Sequence, residues 1–236
     1  MKELFVQNRV NYVLRTYLPT WNYDCRVEEI IRFCRETDTR HVMLFTDAQH
    51  MVWNQLTLDE AEHEAANISG AVKRLSRENI RVGINSSYNM PQSRWDHRSH
   101  NDYDYWATHA DGSCDYRTPC ILDPKLDMYL RKLYAILAGT GADYIYVDDD
   151  HRYVLTGQKN TWGCFCDLHL CKFGEITARK WTRVTLASAL LNDQSVRSEW
   201  IDLLGVNLAG IALHQRSKRG GRNHPHRTGG HVPDGC

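Results

Sequence analysis

No stretch of this 236-residue chain approaches the roughly 20 consecutive apolar residues that a membrane-spanning helix needs, which excludes an anchor of that kind. A net charge is missing too. The 29 basic and 29 acidic side chains balance, so a dedicated nucleic-acid surface is not expected. The opening Met1-Lys2-Glu3-Leu4-Phe5-Val6-Gln7 has no long apolar core and no small-residue cleavage site, so no secretory signal is expected. The turn after the first strand-like run lacks a glycine-rich phosphate fingerprint, which weighs against a nucleotide-binding Rossmann domain. Cysteine, by contrast, is plentiful, at eight residues. Without a secretion signal, these cysteines point to metal binding and reduced core thiols rather than to a disulfide framework. They also point to a cytoplasmic location.

Strand and helix patterns alternate along the chain. Asn11 to Tyr17 is rich in β-branched and aromatic residues and reads as a first strand. Val27, Ile30, Ile31 and Cys34 recur at helical spacing, with Asp24 as a cap. His41 to Asp47 is a short apolar run suited to a strand buried on both faces, and Leu58 to Glu78 is an amphipathic helix. Ile80 to Asn85 reads as a third strand. A long connection follows to Cys120, dense in Tyr, Trp, His and Asp, and loops of such length are uncommon unless functional or internally structured. Asp123-Pro124 opens a helix, Ala142 to Val147 forms a fourth strand, and further helical stretches run from about Phe173 to Leu191 and from Val196 to Ala212. Each strand ends in a polar residue: Tyr17, Asp47, Asn85 and Asp148. This is the pattern of a parallel α/β sheet, either an open doubly wound sheet or half of a (β/α)8 barrel, with its chemistry at the carboxyl edge.

From Leu213 the composition changes to Arg, Gly, His and Pro, and cannot build a packed core. Residues 1–212 are therefore expected to form the β/α domain. Residues 213–236 are expected to be a disordered basic tail of frameshift character, with a nucleic-acid arm or a histidine-rich metal tract as the functional alternatives.

Two constellations carry chemistry. Cys164-x-Cys166-x4-Cys171 places three soft ligands within eight residues, and Cys120 or Cys114 could supply a fourth, with His169 as an alternative ligand between Cys166 and Cys171. Such thiolate density favours Zn²⁺, and four protein ligands would make a closed structural site. Reduced surface thiols, with one disulfide among them, are the plain alternative. The second constellation is Asp148-Asp149-Asp150, three successive carboxylates at the end of a strand. They could act as general acid and substrate-positioning carboxylates or bind a divalent cation, while pairing with Arg152 in a capping turn is the structural alternative. Aromatic and polar residues near the strand ends, among them Trp21, Trp53, Trp95 and Trp106, fit a carbohydrate cleft, in which sugar C–H faces stack on rings.

Cys120-Ile-Leu-Asp-Pro124, Tyr144-Ile-Tyr-Val-Asp-Asp-Asp150 and Gly163-Cys-Phe-Cys166 through Cys171-Lys-Phe173 together resemble the N-terminal catalytic barrel of family-forty-two-type β-galactosidases and their glycoside-hydrolase-like relatives. The resemblance implies a retaining glycoside hydrolase on a (β/α)8 barrel. In that family a strand-four Asp-Asn-Glu carries the acid/base, and a Cys-x-Cys-x2-Cys cluster joins an earlier Cys around zinc. It therefore implies Asp150 as acid/base beside Asp149 and Asp148, and Cys120, Cys164, Cys166 and Cys171 as zinc ligands. Asp47, Asn85, Trp21, Tyr17 and Arg152 would contact a carbohydrate substrate. This sequence departs from the family pattern with Asp in place of Glu, Asp in place of Asn, and four residues before Cys171. Only about four βα units are present, so the nucleophile of a later strand is not among them. The expected protein is then a half barrel that is inactive alone, poorly soluble or a homo-oligomer. Two alternatives remain: a non-catalytic carbohydrate-binding or zinc-stabilised interaction module, and a metal-dependent hydrolase using the Asp triplet.

Overall fold

The computed structural model describes residues 12–19, 22–45, 56–85, 102–147 and 162–214. Trp21, Asp47, the aspartates 148–150, Arg152 and residues 215–236 lie outside them. The chain divides into two compact units. The first holds residues 1–100 and 129–150, and the second residues 101–128 and 151–236.

The first unit is built on a four-stranded parallel sheet of β1 (Val13–Tyr17), β2 (His41–Phe45), β3 (Arg81–Asn85) and β6 (Tyr144–Tyr146), in that spatial order. Helix α1 (Tyr23–Thr37) joins β1 to β2, and α2 (Leu58–Arg77) lies between β2 and β3. The helix α3 (Pro124–Gly139), whose residues from Tyr129 onward belong to this unit, precedes β6. Among the described residues, spatial order follows chain order without reversal, so these four strands are singly wound and show no switch point. Right-handed crossovers that always advance in one direction place the connecting helices on a single face.

Thr16 accepts a hydrogen bond from Arg26 of α1 (2.6 Å), which fixes its face of the sheet as the helix-covered one. On that face Val42, Leu44, Val82 and Ile84 are fully buried. Val27, Ile30, Ile31 and Cys34 of α1, and Ala61, Ile68, Ala71, Val72 and Leu75 of α2, are the buried helix positions, spaced at three and four residues. Asp24 does not cap α1. Asn22 occupies the cap position, without a side-chain cap bond, and Asp24 instead pairs with Arg74 of α2 at 2.7 Å. The start of α2 is the better defined, because Thr57 and Glu60 form a reciprocal capping box.

The opposite face carries three level rows: Val13, His41 and Arg81; Arg15, Met43, Gly83 and Tyr144; and Tyr17, Phe45, Asn85 and Tyr146. The guanidinium of Arg15 lies 4.8 Å over the Phe45 ring. Gly83 is required where it stands. A Cβ there would collide with the Tyr144 ring, which lies across the bare backbone.

The second unit contains a hairpin of β4 (Trp106–Thr108) and β5 (Cys114–Pro119), which gives internal structure to part of the long connection before Cys120. Three helices follow: α4 (Asp167–Thr177), α5 (Arg183–Asn192) and α6 (Gln194–His214). The helical run expected from Phe173 to Leu191 is broken in two. Ala178 turns left-handed (φ 51°) at the end of α4, and Thr182 caps α5. Trp200 anchors the core of these helices. It is fully buried, its ring lies 5.1 Å from Phe173 and 5.6 Å from Phe165, and its indole N–H donates to the Trp162 carbonyl at 2.6 Å. Among the described residues, no helix is long and apolar enough to cross a membrane.

The packing of Tyr144 over Gly83 yields a first prediction. Gly83→Ala should destabilise the protein by about 1–3 kcal/mol in urea denaturation, the range for overpacking, and should cost little in a Tyr144→Ala background. A single substitution as stable as wild type would contradict the close approach.

Candidate metal centre

Cys120 ends the hairpin segment, and its turn leads into α3. Its N–H donates to the Tyr105 carbonyl (2.9 Å), and its own carbonyl accepts the Asp123 N–H (2.9 Å). Asp123, fully buried, then caps α3 by accepting the N–H groups of Lys125 (2.7 Å) and Leu126 (3.3 Å) through one oxygen. Its other oxygen accepts the Tyr105 N–H at 2.7 Å. One carboxylate therefore fixes the helix start and the strand approach on either side of Cys120.

Gly163, with φ +94°, turns the chain immediately before Cys164, and a Cβ there would strike Leu204 of α6. The Phe165 N–H then donates to the Thr108 carbonyl (2.8 Å), which lays the Cys164–Cys166 segment alongside β4. Arg183 of α5 clamps the same segment, donating to the Phe165 carbonyl (3.0 Å) and pairing with Asp167 (2.6 Å). Cys166 is the N-cap of α4, and His169 lies three residues on, in its first turn.

These constraints gather four buried groups: Cys120, Cys164, Cys166 and His169. Their ligand atoms all lie within 4.8 Å of one another. Cys120 Sγ is 3.4 Å from Cys166 Sγ, and His169 Nδ1 stands 3.4 Å from Cys120 Sγ and 3.3 Å from Cys166 Sγ. A tetrahedral Zn²⁺ bound at ~2.3 Å to sulfur and ~2.0 Å to nitrogen spaces its ligands ~3.5–3.8 Å apart. The observed group is of that size, and three cysteines with one histidine form a closed structural donor set. The residues present fit a metal ion.

The electrostatics of the group fit a cation as well. Hydrogen bonds from Cys120 and Cys164, helped by His169, hold Cys166 far below the ordinary thiol range, against the opposing effect of burial. The helix N-terminus beneath it also favours a thiolate. The other two sulfurs bear the consequence. Cys120 is raised by its contacts with Cys164 and Cys166 and by burial. Cys164 is lowered by a hydrogen bond from Cys120, but the Cys166 thiolate and burial outweigh this and push it up to about 12. Backbone donors await these two sulfurs: Thr108 N–H on Cys164 and Leu122 N–H on Cys120, both at 3.4 Å.

Of the ligands expected from sequence, the structure gathers Cys120, Cys164 and Cys166, and it adds His169, the alternative named among the cysteines. Cys171 is not in the group; it is half-buried and disulfide-bonded. It lies two residues beyond His169 on α4, about 200° around the helix, and so faces another way. Cys114, at the start of β5, is exposed, with its sulfur 3.6 Å from the Thr108 hydroxyl. The signal that singles out His169 is helical spacing: the N-cap and the third helical residue share a side.

The other expected site residues within the described parts are Tyr17, Asn85 and Trp106; Tyr17 and Asn85 fall in the carboxyl-edge row of the sheet, whereas Trp106 lies on β4 with its ring edge-on to Tyr103 and Tyr116. Tyr17 is 45% exposed and Asn85 is fully buried. That row also contains Phe45 and Tyr146, which the sequence reading did not single out as site residues. Strand alternation on either side of the paired residues is the signal that would have found them. No protein-family model matches the chain, and no curated protein matches it.

Ligand identity and proton release are both measurable. His169→Ala should weaken Zn²⁺ binding in a competition titration by more than about 100-fold, beyond the range for loss of a supporting residue, while Cys171→Ser should leave it within threefold or so. Binding needs thiolates, and Cys120 and Cys164 keep their protons above neutral pH. Metal uptake should therefore release protons, and affinity should fall as pH drops, by up to about 100-fold per unit for two protons. In the metal-free protein the raised Cys164 favours the folded state only while protonated. That contribution is complete below the ordinary thiol value of 9.0 and is lost as pH rises towards about 12.

Proposed function

We propose that this chain is the N-terminal half of a glycoside-hydrolase-type (β/α)8 barrel, stapled by a structural zinc ion, with a carbohydrate as the ligand of its strand ends. The observation that carries the reading is the winding of the sheet. Four parallel strands in chain order are the arrangement of a barrel under construction, whereas a doubly wound nucleotide fold reverses its strand order. The carboxyl-edge row adds support. Tyr17, Phe45, Asn85 and Tyr146 offer rings and an amide at the end where barrels carry out chemistry, and Asp148, Asp149 and Asp150 begin two residues after Tyr146 in sequence.

The metal group supports the family resemblance through its spacing. The pattern Cys164-x-Cys166-x2-His169, joined by the earlier Cys120, matches the Cys-x-Cys-x2-Cys arrangement of the zinc-containing β-galactosidases, with histidine at the last place. When bound, zinc supplies a fixed cross-link and takes no part in the reaction. In the full-length relative, Asp150 protonates the glycosidic oxygen and then activates water, Asp149 and Asp148 position sugar hydroxyls, and the nucleophile comes from a later strand. Tyr17 and Asn85 would contact the sugar from the carboxyl-edge row, with Asp47, Trp21 and Arg152, which lie outside the described residues, as the further expected contacts.

A two-part measurement tests this proposal. The purified chain should hold one zinc per molecule and bind simple β-galactosides at millimolar concentration without turning them over. Tyr17→Ala and Tyr146→Ala, both at exposed positions, should abolish the sugar's effect on protein NMR shifts. Zinc retention without any sugar response would instead favour a zinc-stabilised interaction module, and turnover by the chain alone would refute the half-barrel assignment.

A further inference from the structure

We infer that the metal centre is a peroxide-sensitive catch: oxidation joins Cys120 to Cys166 and releases the ion, while the new bond keeps the hairpin segment tied to α4. The inference rests on the zinc-staple part of the reading above. The sulfurs of Cys120 and Cys166 stand 3.4 Å apart. A disulfide needs ~2.05 Å, so the pair lacks only about 1.4 Å of approach. Cys164 and Cys166 are separated by one residue, and a bond between them would tie no other segment. Cys120 and Cys166 lie 46 positions apart, so their bond closes the same loop that the metal closes. Once they are joined, Cys164 and His169 are left, two of the four ligands and too few for a closed zinc site.

Burial selects the oxidant. Cys120 and Cys164 are fully buried, and Cys166 is 3% exposed. A bulky disulfide such as oxidised glutathione has little access to such sulfurs, whereas hydrogen peroxide is little larger than water. The Cys166 thiolate attacks one peroxide oxygen, the O–O bond breaks and hydroxide leaves, giving a sulfenic acid. The Cys120 thiolate then attacks that sulfur, the S–O bond breaks and a second hydroxide leaves. Two thiolates lose two electrons, one hydrogen peroxide becomes two hydroxide ions, and zinc is released with its charge unchanged. Cys25 and Cys114 are free and exposed but stand outside the group, so their oxidation expels no metal.

The test uses the zinc-loaded full chain with a chromogenic chelator that reports free zinc. Hydrogen peroxide should release one zinc per chain, about tenfold or more faster than oxidised glutathione at the same concentration. Peptide mapping without reductant should then find Cys120 joined to Cys166, with the circular dichroism unchanged. Dithiothreitol with added zinc should restore the starting metal content, and Cys114→Ser should release zinc at the wild-type rate. Zinc retained in peroxide, a disulfide through Cys164 instead of the Cys120–Cys166 bond, or release that depends on Cys114 would overturn the inference while leaving the zinc staple standing. A chain that never takes up zinc would sink both.

Discussion

Three sulfur atoms and an imidazole nitrogen share one buried cluster, and three thiolates in such a place repel one another strongly. Without a cation the group settles the conflict by keeping one thiolate, at the helix-stabilised Cys166, and leaving its neighbours protonated. The second unit is organised around this constraint. The hairpin brings Cys120, the Gly163 turn brings Cys164, and the first turn of α4 brings Cys166 and His169. Each segment has its own hydrogen bonds, yet their meeting point has a strong electrostatic reason only when a metal occupies it. The aromatic core around Trp200 packs close behind, with its ring 6.0 Å from that of His169.

The first unit follows a different rule. One face of its sheet carries Thr16, on which Arg26 of α1 docks, and the other carries Arg15, Tyr17, Met43, Phe45, Gly83, Asn85, Tyr144 and Tyr146. A parallel sheet normally hides both faces. An open sheet does so with helices on both sides, whereas a barrel turns one face inward on itself. The Gly83–Tyr144 contact and the Arg15–Phe45 stack show side chains of that second face already packing on one another across neighbouring strands.

Much of this was legible in the sequence. Strand β2 stands out because a buried parallel strand is a short, continuous apolar run, and β1 because it is rich in β-branched and aromatic residues. Strand ends coincide with polar or aromatic residues, so Tyr17 and Asn85 could be named. The hairpin β4–β5 was hidden because its strands are short, polar and interrupted by a bulge, leaving no period to detect. His169 was outranked by Cys171 because counting cysteines ignores the helix on which they sit. Once Cys166 becomes a cap, rotation about the helix decides which neighbour can reach the sulfurs. The break between α4 and α5 escaped notice because Ala178, a strong helix former, adopts the left-handed turn usually given to glycine.

The ligands are also unequally distributed along the chain. Cys164, Cys166 and His169 lie within six residues, but Cys120 is 46 positions from Cys166. Joining that distant ligand closes a loop whose entropy is worth about 4 kcal/mol in a chain-entropy picture. The local trio can engage an ion while the rest of the chain is still unfolded, and Cys120 can arrive only after the hairpin and the start of α3 have docked. The order of ligand arrival thus becomes an order of folding, with the fourth bond as the latch that records its completion.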